Sequence, residues 1–85
     1  MNYRVLLVCM GNICRSPTAE VVLRVFIKNN TLCGIVEVDS AGTHGYHVGE
    51  APDGRTQRAA AVRGYNLSQV RARKVARQDL DYFDL

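Results

Sequence analysis

The most constraining feature of the sequence is the stretch of residues 5–17, which joins an apolar run to a tight polar loop and then to the start of a helix. Residues 3–8 are almost uninterruptedly apolar, which is typical of a strand covered on both faces of a parallel sheet. Ser16 stands where a helix N-cap would, and Pro17 follows at the first helical position. The stretch therefore predicts a buried strand, a loop and a helix that begins at about Pro17.

The first helix is expected to continue to about Lys28. Glu20 falls in its first turn, where the positive end of the helix dipole favours an acidic side chain. Apolar residues recur at helical spacing and predict the face that packs on the sheet, namely Ala19, Val22, Leu23, Phe26 and Ile27. Three charged residues lie on another face of this helix, namely Glu20, Arg24 and Lys28.

A second strand is predicted to end near Ser40, because Ile35, Val36 and Val38 follow the helix. A strand-helix-strand order of this length favours a right-handed parallel crossover. The sequence therefore indicates the α/β class, with a parallel sheet and helices on both faces. At 85 residues we expect a single domain, spanning residues 1–85.

The region after the second strand contains a long loop and a second helix. Residues 41–54 carry four glycines and two histidines, and long loops in compact domains are often functional. Asp53 is expected to cap a helix that runs to about Arg63 and is stopped by Gly64. This helix is built on Thr56, Ala59, Ala60 and Val62. The basic residues that follow are most simply a solvated helical face, namely Arg71, Arg73, Lys74 and Arg77.

The predicted sheet is short for an α/β domain, because no further strand follows the second helix region. Two strands alone would leave an uncovered edge at residues 5–8, and such an edge invites pairing with another chain. We therefore expect a fold that is truncated after the second helix region and able to self-associate through this edge.

Composition narrows the class of protein. The net charge of +3 suits anionic ligands without demanding nucleic acid, and no apolar run approaches the roughly 18 residues of a membrane span. Three cysteines, an odd number, fit free thiols in a reducing compartment, so we expect a cytoplasmic protein in which Cys33 is structural. A zinc site at His44 and His47 lacks paired Cys/His spacing, so we expect no metal and no cofactor.

The loop between the first strand and the first helix carries a thiol, a hydroxyl and a guanidinium. Backbone N–H groups at the start of a helix form an anion cradle, and they stabilise a thiolate at Cys9. Arg15 has a planar fork that holds two phosphoryl oxygens at once. Gly11 allows close approach of the backbone, Asn12 tolerates a left-handed conformation, and Ser16 can donate a hydrogen bond to the thiolate. These residue types predict a nucleophile that handles phosphate.

The same residues resemble a known family. Residues 9–17, with the sequence Cys-Met-Gly-Asn-Ile-Cys-Arg-Ser-Pro, resemble the signature of low-molecular-weight protein tyrosine phosphatases. Residues 39–43, Asp-Ser-Ala-Gly-Thr, resemble the second-strand segment of that family, and further matches follow in the family's order at residues 48–49, 52–53, 72–75 and 79–84. The resemblance extends from about residue 4 onward. It implies the phosphotyrosine phosphatase I-like fold, a Rossmann-like three-layer architecture of which this chain is the N-terminal portion.

The resemblance implies a role for each site residue. Cys9 would attack an aryl phosphate to form a phosphocysteine, with a phosphotyrosine protein or peptide as substrate and inorganic phosphate or another oxyanion as a ligand. The phosphate would be bound by Met10, Gly11, Asn12, Ile13, Cys14 and Arg15. Ser16 and Ser40 would support the loop, Ser40 by a hydrogen bond to Asn12. Tyr46 would form an aromatic wall beside the substrate, and Cys14 would be a redox partner of Cys9.

One departure and two alternatives accompany this resemblance. The family's general acid is the Asp of an Asp-Pro pair, and no such pair occurs in the 85 residues, so turnover by this chain is in question. Ile13 matches the tyrosine-phosphatase branch, whereas the arginine-phosphatase branch usually has Thr there. An arsenate reductase on the same scaffold would need further cysteines, for which Cys33 is poorly placed. A non-catalytic module that binds phosphate or a phosphopeptide is the remaining alternative.

Overall fold

A computed structural model describes residues 3–32 and 34–85, so the prediction made for Cys33 lies outside the described residues. Two parallel strands form the sheet, β1 at Tyr3–Cys9 and β2 at Val36–Gly42, in register along their whole length. The helix between them, α1, spans Arg15–Asn29 and packs on both strands. The predicted α/β class and parallel crossover are therefore confirmed. Strand β2 starts one residue after Ile35 and continues two residues beyond Ser40.

The outer edge of β1 is partly covered by the last residues of the chain. The carbonyl of Arg4 accepts hydrogen bonds from the N–H groups of Asp84 and Leu85, and the Leu6 N–H donates to the Leu85 carbonyl at 2.7 Å. This alternation is the pattern of a parallel strand pair. The expectation of an uncovered edge is therefore wrong for the first half of β1, whereas Val8 further along keeps 48% of its surface exposed.

Helix α1 begins two residues earlier than predicted, with Cys14 at the N-cap position. Ser16 does not cap the helix, because its hydroxyl is engaged in the loop that precedes α1. Glu20 consequently lies beyond the first turn, and it is buried at 5% exposure. The N-cap assigned to Ser16 and the outer position assigned to Glu20 are both wrong, since the polar loop draws these side chains inward.

The apolar face of α1 is also rotated from the predicted one. Val21 and Ile27 are buried, whereas Val22 and Phe26 keep 38% and 57% of their surface exposed. The rotation has a physical reason: the face of α1 that meets the sheet and the loop must also accommodate Ser16 and Glu20. A small apolar cluster against α1 is formed by Val21, Ala60 and Leu67, with Tyr65 and Val70 packed beside it.

Helix α2 spans Gly54–Val62 and has the caps that the sequence predicts. The Asp53 carboxylate accepts a hydrogen bond from the Thr56 N–H at 3.2 Å, and Gly64 takes a φ of +87° just after the helix. The predicted packing face is only partly correct, because Ala60 is buried but Val62 is 88% exposed.

The basic segment of residues 71–77 is not a helix. It runs as irregular, largely extended backbone along the carboxyl end of β2, where Gly42 pairs with Lys74 in a single parallel bridge. The Gly42 N–H donates to the Arg73 carbonyl, and the Val75 N–H donates to the Gly42 carbonyl. The prediction of a solvated helical face is therefore wrong, because this backbone extends the hydrogen bonding of the sheet. A short helix, α3, follows at Asp79–Tyr82.

Neither a membrane span nor a metal cluster is found in the described part of the chain. Across residues 3–32 and 34–85, no helix combines the length and apolar character needed to cross a membrane. Within the same ranges, no group of three or more His, Cys, Asp or Glu side chains could hold a metal ion. His44 instead stacks on Tyr46, and His47 pairs with Glu50 at 3.1 Å.

Candidate active site

The candidate site is the loop between β1 and α1, at the carboxyl end of the sheet. Cys9 is the last residue of β1, and its half-buried sulfur faces back toward the start of α1. The Asn12 N–H donates to Cys9 Sγ at 3.2 Å, and Ser16 Oγ lies 2.9 Å from the same sulfur. The loop therefore surrounds one thiol with hydrogen-bond donors.

These donors decide the ionisation of Cys9. Partial burial raises the pKa of the thiol, but hydrogen bonds lower it further than burial raises it. The Ser16 side chain contributes most, followed by the backbone N–H groups of Ser16, Asn12 and Gly11. The resulting pKa lies below the ordinary value of a cysteine thiol, so the reactive thiolate is favoured.

Asn12 holds the loop in shape from inside. It is fully buried and adopts a φ of +58°, a left-handed conformation that few residues other than glycine and asparagine tolerate. Its side-chain Nδ2 donates to Ser16 Oγ at 2.8 Å and to Ser40 Oγ at 3.0 Å. Its Oδ1 accepts from the Arg73 N–H at 3.0 Å. One side chain thus connects the loop, α1, β2 and the segment of residues 71–77.

Ser40 is in turn connected to a buried carboxylate. Its hydroxyl is bonded to Glu20 Oε1, and the other oxygen of Glu20 pairs with the Arg24 guanidinium at 2.8 Å. Arg24 also donates to the carbonyl of Val38 at 3.1 Å. Glu20 therefore joins the polar groups of the loop to the middle of β2.

Neighbouring segments brace the outer side of the loop. The Asp53 N–H donates to the Ile13 carbonyl at 2.7 Å, and the Thr56 hydroxyl donates to Cys14 Sγ at 3.1 Å. An ideal Cβ built on Gly42 would lie 2.8 Å from the Met10 carbonyl oxygen, so β2 meets the loop at a point where only glycine fits. The start of α2 and the end of β2 thus restrict the loop from two sides.

Arg73 ties the same region to the C-terminal segment. Its guanidinium donates to Asp79 at 3.0 and 3.1 Å and pairs with Asp39 at 3.1 Å. The hydrogen bond to Asp79 raises the pKa of Arg73, and the hydrogen bond from Arg73 holds the pKa of Asp79 below its usual range. Two carboxylates therefore hold the side chain of the residue whose backbone N–H orients Asn12.

Other predicted site residues lie at the surface. Arg15 is exposed at the first position of α1, and Met10 is 63% exposed on the loop. Tyr46 is 78% exposed and stacks on His44 with ring centroids 5.5 Å apart. Cys14 is an exposed free thiol, as Cys9 is a half-buried one, so the redox pairing of these two residues stays a prediction.

Three residues of the site were missed by sequence reasoning, namely Glu20, Gly42 and Arg73. A signal for Glu20 was present, since it lies four residues after Ser16 and therefore on the same helical face. Gly42 and Arg73 had no such signal, because their contacts with the loop join residues that are about 30 and 60 positions apart in sequence. Their roles depend on chain topology.

Comparison with known proteins places these features in a family. The family model described as "Low molecular weight phosphotyrosine protein phosphatase" matches residues 4–85. A low molecular weight protein-tyrosine-phosphatase of Streptomyces coelicolor is 51% identical over 70 residues, which cover 82% of this chain and 43% of the relative. The chain spans about half the length of the curated relatives it matches.

Solved structures agree with this match. YfkJ from Bacillus subtilis superposes with a TM-score of 0.93 at 43% identity, covering 99% of this chain and 53% of that one. A protein tyrosine phosphatase from Entamoeba histolytica, solved with Hepes in the active site, superposes with a TM-score of 0.92 at 41% identity. The match covers 98% of this chain and 53% of the Entamoeba chain.

Proposed function

The chain belongs to the low molecular weight phosphotyrosine protein phosphatase family, and on that premise we propose that its 85 residues carry the nucleophilic half of a phosphotyrosine phosphatase site. In this proposal they form the N-terminal portion of a single phosphatase domain. The substrate is the phosphotyrosine of a protein or peptide, and Cys9 is the residue that becomes phosphorylated.

One observation carries the proposal. The Cys9 sulfur is the focus of hydrogen bonds from the Ser16 side chain and from loop amides, and these groups stabilise a thiolate. A thiolate at the end of a strand, facing the start of a helix, is placed where phosphate oxygens are also favoured. The Hepes in the Entamoeba relative supports this inference, because Hepes carries a sulfonate, a tetrahedral oxyanion.

The proposed first step is an in-line displacement at phosphorus. The Cys9 thiolate forms the S–P bond while the bond from phosphorus to the phenolic oxygen breaks, and the phenolate leaves with that electron pair. Arg15 and the backbone amides of residues 10–15 stabilise the oxygens of the transferring group. The exposed position of Arg15 at the first turn of α1 leaves its fork free to reach a phosphate above the loop. Water then cleaves the S–P bond, which releases phosphate and restores the thiolate.

The chain lacks the Asp that, by the family resemblance, would protonate the leaving group. The 85 residues contain no Asp-Pro pair, and a general acid typically contributes about 10²–10⁴-fold to such a rate. We therefore propose that this chain alone reacts with activated aryl phosphates, whose phenolates leave without a proton, far better than with phosphotyrosine.

Ile13 and Tyr46 support the choice of substrate. Ile13 is a half-buried residue of the loop and matches the tyrosine branch of the family rather than the arginine branch. Tyr46 is an exposed aromatic ring on the segment whose backbone bonds to the loop through His44 and Met10. We propose that Tyr46 forms the wall against which the substrate ring packs.

The remaining proposals concern the setting of the protein. Cys9 and Cys14 are free thiols, and a thiolate nucleophile must stay reduced, so we propose a reducing compartment such as the cytoplasm and a reversible Cys9–Cys14 disulfide as protection. We also propose that the chain neither binds nucleic acid nor associates with a membrane.

Self-association is proposed to involve the part of the β1 edge near Val8, which remains exposed. We expect analytical ultracentrifugation to detect it as a concentration-dependent dimer.

The central proposal is tested by trapping the intermediate. The chain is mixed with p-nitrophenyl phosphate and quenched in acid, and mass spectrometry then locates the added phosphate. We expect one phosphate on Cys9, a burst of p-nitrophenolate equal to the protein concentration, and neither signal in the Cys9→Ser variant. Arg15→Lys, which keeps the charge but loses the planar fork, is the matched variant, and we expect at least tenfold slower labelling.

Different outcomes separate the alternatives. Release of p-nitrophenolate by Cys9→Ser at the unchanged rate would show that the proposal is wrong. Absence of labelling, with inorganic phosphate still protecting Cys9 from alkylation, would identify a non-catalytic phosphate-binding module. Loss of free thiols on addition of arsenate, without any labelling by the aryl phosphate, would identify the reductase.

A further inference from the structure

The orientation of the Asn12 side chain is fixed by a backbone donor. The Arg73 N–H can only donate, so the atom that it meets at 3.0 Å must be the Asn12 carbonyl oxygen, Oδ1. The amide nitrogen, Nδ2, therefore points the other way, toward the hydroxyls of Ser16 and Ser40. Both of its hydrogens are used in those two bonds.

The two serine hydroxyls are directed by this amide. Each hydroxyl oxygen accepts a hydrogen from Asn12, so each must donate its own single proton elsewhere. The remaining partner of Ser16 is Cys9 Sγ at 2.9 Å, so Ser16 donates to the sulfur. The remaining partner of Ser40 is Glu20 Oε1, and a carboxylate accepts that proton.

Glu20 is the only carboxylate in this buried chain of hydrogen bonds among the described residues. It must offer an acceptor on both sides, because Arg24 approaches its other oxygen with Nε at 2.9 Å and with a second nitrogen at 2.8 Å. Arg24 can only donate. Ser16, Ser40, Asn12 and Glu20 are all at least 95% buried, so water does not readily substitute for a missing partner.

We propose that Glu20 is a positioning residue: it accepts the Ser40 proton, while the Arg73 N–H holds the other end of Asn12, and so helps to keep the Asn12 amide nitrogen on both serines and the Ser16 proton on the Cys9 sulfur. The proposal rests on the proposed function, because it concerns the nucleophile of that reaction. Glu20 acts through three other side chains and touches neither the sulfur nor the substrate.

Glu20→Gln is the sharpest perturbation, because glutamine offers one acceptor oxygen to two donors. If that oxygen faces Arg24, the amide nitrogen donates to Ser40, and the Ser40 proton must turn toward Asn12. Asn12 can offer an acceptor there only if its amide flips, which would set Nδ2 against the Arg73 N–H, and otherwise the Ser40–Asn12 hydrogen bond is lost. Either change disturbs the Asn12 bond that directs the Ser16 proton to Cys9. We expect the pKa of Cys9 to rise by about 1 unit, since hydrogen bonding to the charged form is what lowers it.

A second substitution, at Arg24, is expected to reverse the effect of Glu20→Gln. In the double variant Glu20→Gln/Arg24→Met the competing donor is absent, so the glutamine oxygen is free to accept from Ser40 and the pKa of Cys9 should return to that of the parent chain. Glu37→Gln is the matched control, because it removes one carboxylate from an exposed site on β2 whose partners are Tyr82 and Arg4. We expect no change in the pKa of Cys9 in that control.

The pKa of Cys9 is measured from the pH dependence of its iodoacetamide alkylation, with tandem mass spectrometry separating Cys9 from the other thiols. A merely structural role for Glu20 would change the unfolding transition without moving this pKa or being rescued by Arg24→Met. An unchanged Cys9 pKa in a folded Glu20→Gln chain would overturn the proposal. If Glu20→Gln does not unfold cooperatively, Ser40→Ala tests the same chain with the ion pair intact, and an unchanged pKa there would also overturn it.

The alkylation readout needs no turnover, which separates this proposal from the proposed function. Phosphocysteine formation combined with an unchanged Cys9 pKa in Glu20→Gln would remove only the positioning role. A pKa that rises in Glu20→Gln and recovers in the double variant, without any phosphocysteine in the parent chain, would remove only the phosphatase proposal.

Discussion

The loop around Cys9 and the neighbouring segment of residues 43–49 are built in opposite ways. In the first, Asn12 and Ser16 are almost fully buried and each makes hydrogen bonds to more than one partner. In the second, Tyr46 and Val48 keep 78% and 58% of their surface exposed. The two segments are nevertheless joined by backbone bonds from Thr43 to Cys9 and from His44 to Met10.

This difference matches the tasks that we assign to the two segments. A nucleophile gains from donors that are already in place, because no reorganisation is then required when charge develops. A surface that receives the side chain of a protein substrate must instead remain open, as Tyr46 does. The chemistry is therefore placed on a braced loop, and substrate contact is placed on exposed side chains next to it.

Two glycines give the largest expected contrast, namely Gly42, which packs against the Cys9 loop, and Gly45, which lies in the exposed segment. Gly42→Ala would put a Cβ 2.8 Å from the Met10 carbonyl oxygen and 3.1 Å from the Gly11 carbonyl carbon, both of which are backbone atoms. We expect Gly42→Ala to lower the free energy of unfolding by about 2 kcal/mol and to slow phosphocysteine formation, since the loop must shift to relieve the overlap. Chemical denaturation and the burst assay measure the two effects.

Gly45→Ala is the matched control in the exposed segment. Its Cβ would lie 3.6 Å from the nearest atom, the Lys74 Cδ, which is ordinary contact with a flexible side chain. We expect a change within about 0.5 kcal/mol. Equal losses in the two variants would contradict the contrast between a braced loop and an open segment.

The next largest effect is expected on the free energy of unfolding when the pH is lowered. The pKa of Asp79 is held below its usual range by the Arg73 hydrogen bond, so its contribution to stability is present above the unfolded-state pKa and is lost as the pH falls through the lower folded-state value. We expect the free energy of unfolding to fall by about 1 kcal/mol from this group between about pH 5 and pH 2.

Asp79→Asn isolates that contribution. The variant should be less stable than the parent chain at pH 7 and should show a shallower loss of stability on acidification. If the parent and the variant have parallel stability curves from pH 7 to pH 2, the Arg73–Asp79 pair does not support the segment that orients Asn12.

The smallest effect is expected at Tyr46. Tyr46→Ala removes the proposed wall without touching a buried group, and an aromatic contact of this kind is worth about 0.5–1.5 kcal/mol. We expect the aryl phosphate concentration that gives half-maximal phosphocysteine formation to rise by up to about tenfold. The protection of Cys9 by inorganic phosphate should be unchanged. Tyr46→Phe should retain most of the parent behaviour, and loss of phosphate protection in Tyr46→Ala would show that the two segments are not separate in function.

The local parts of the molecule were the easiest to predict. The strand β1, the cap at Asp53 and the stop at Gly64 follow from neighbouring residues, and the structure has all three. The predicted burial of β1 is wrong, because its residues are half-buried or exposed in this two-stranded sheet. The inner face of α1 could not be predicted in the same way. Apolar spacing selected Phe26, whereas the structure buries Glu20, because hydrogen bonds to Ser40 and Arg24 compensate for the burial of a carboxylate.

The sequence by itself determined which groups are present in the loop, since Cys9, Asn12, Arg15 and Ser16 lie within eight consecutive residues and their chemistry is local. Only the tertiary structure decided which way each hydrogen bond runs. Ser40 from β2 and Arg73 from the segment after α2 meet at Asn12, and Glu20 from α1 joins them through Ser40, because the parallel crossover brings those elements to one end of the sheet. Donors and acceptors that are distant in sequence can be ordered only where the fold has buried them together.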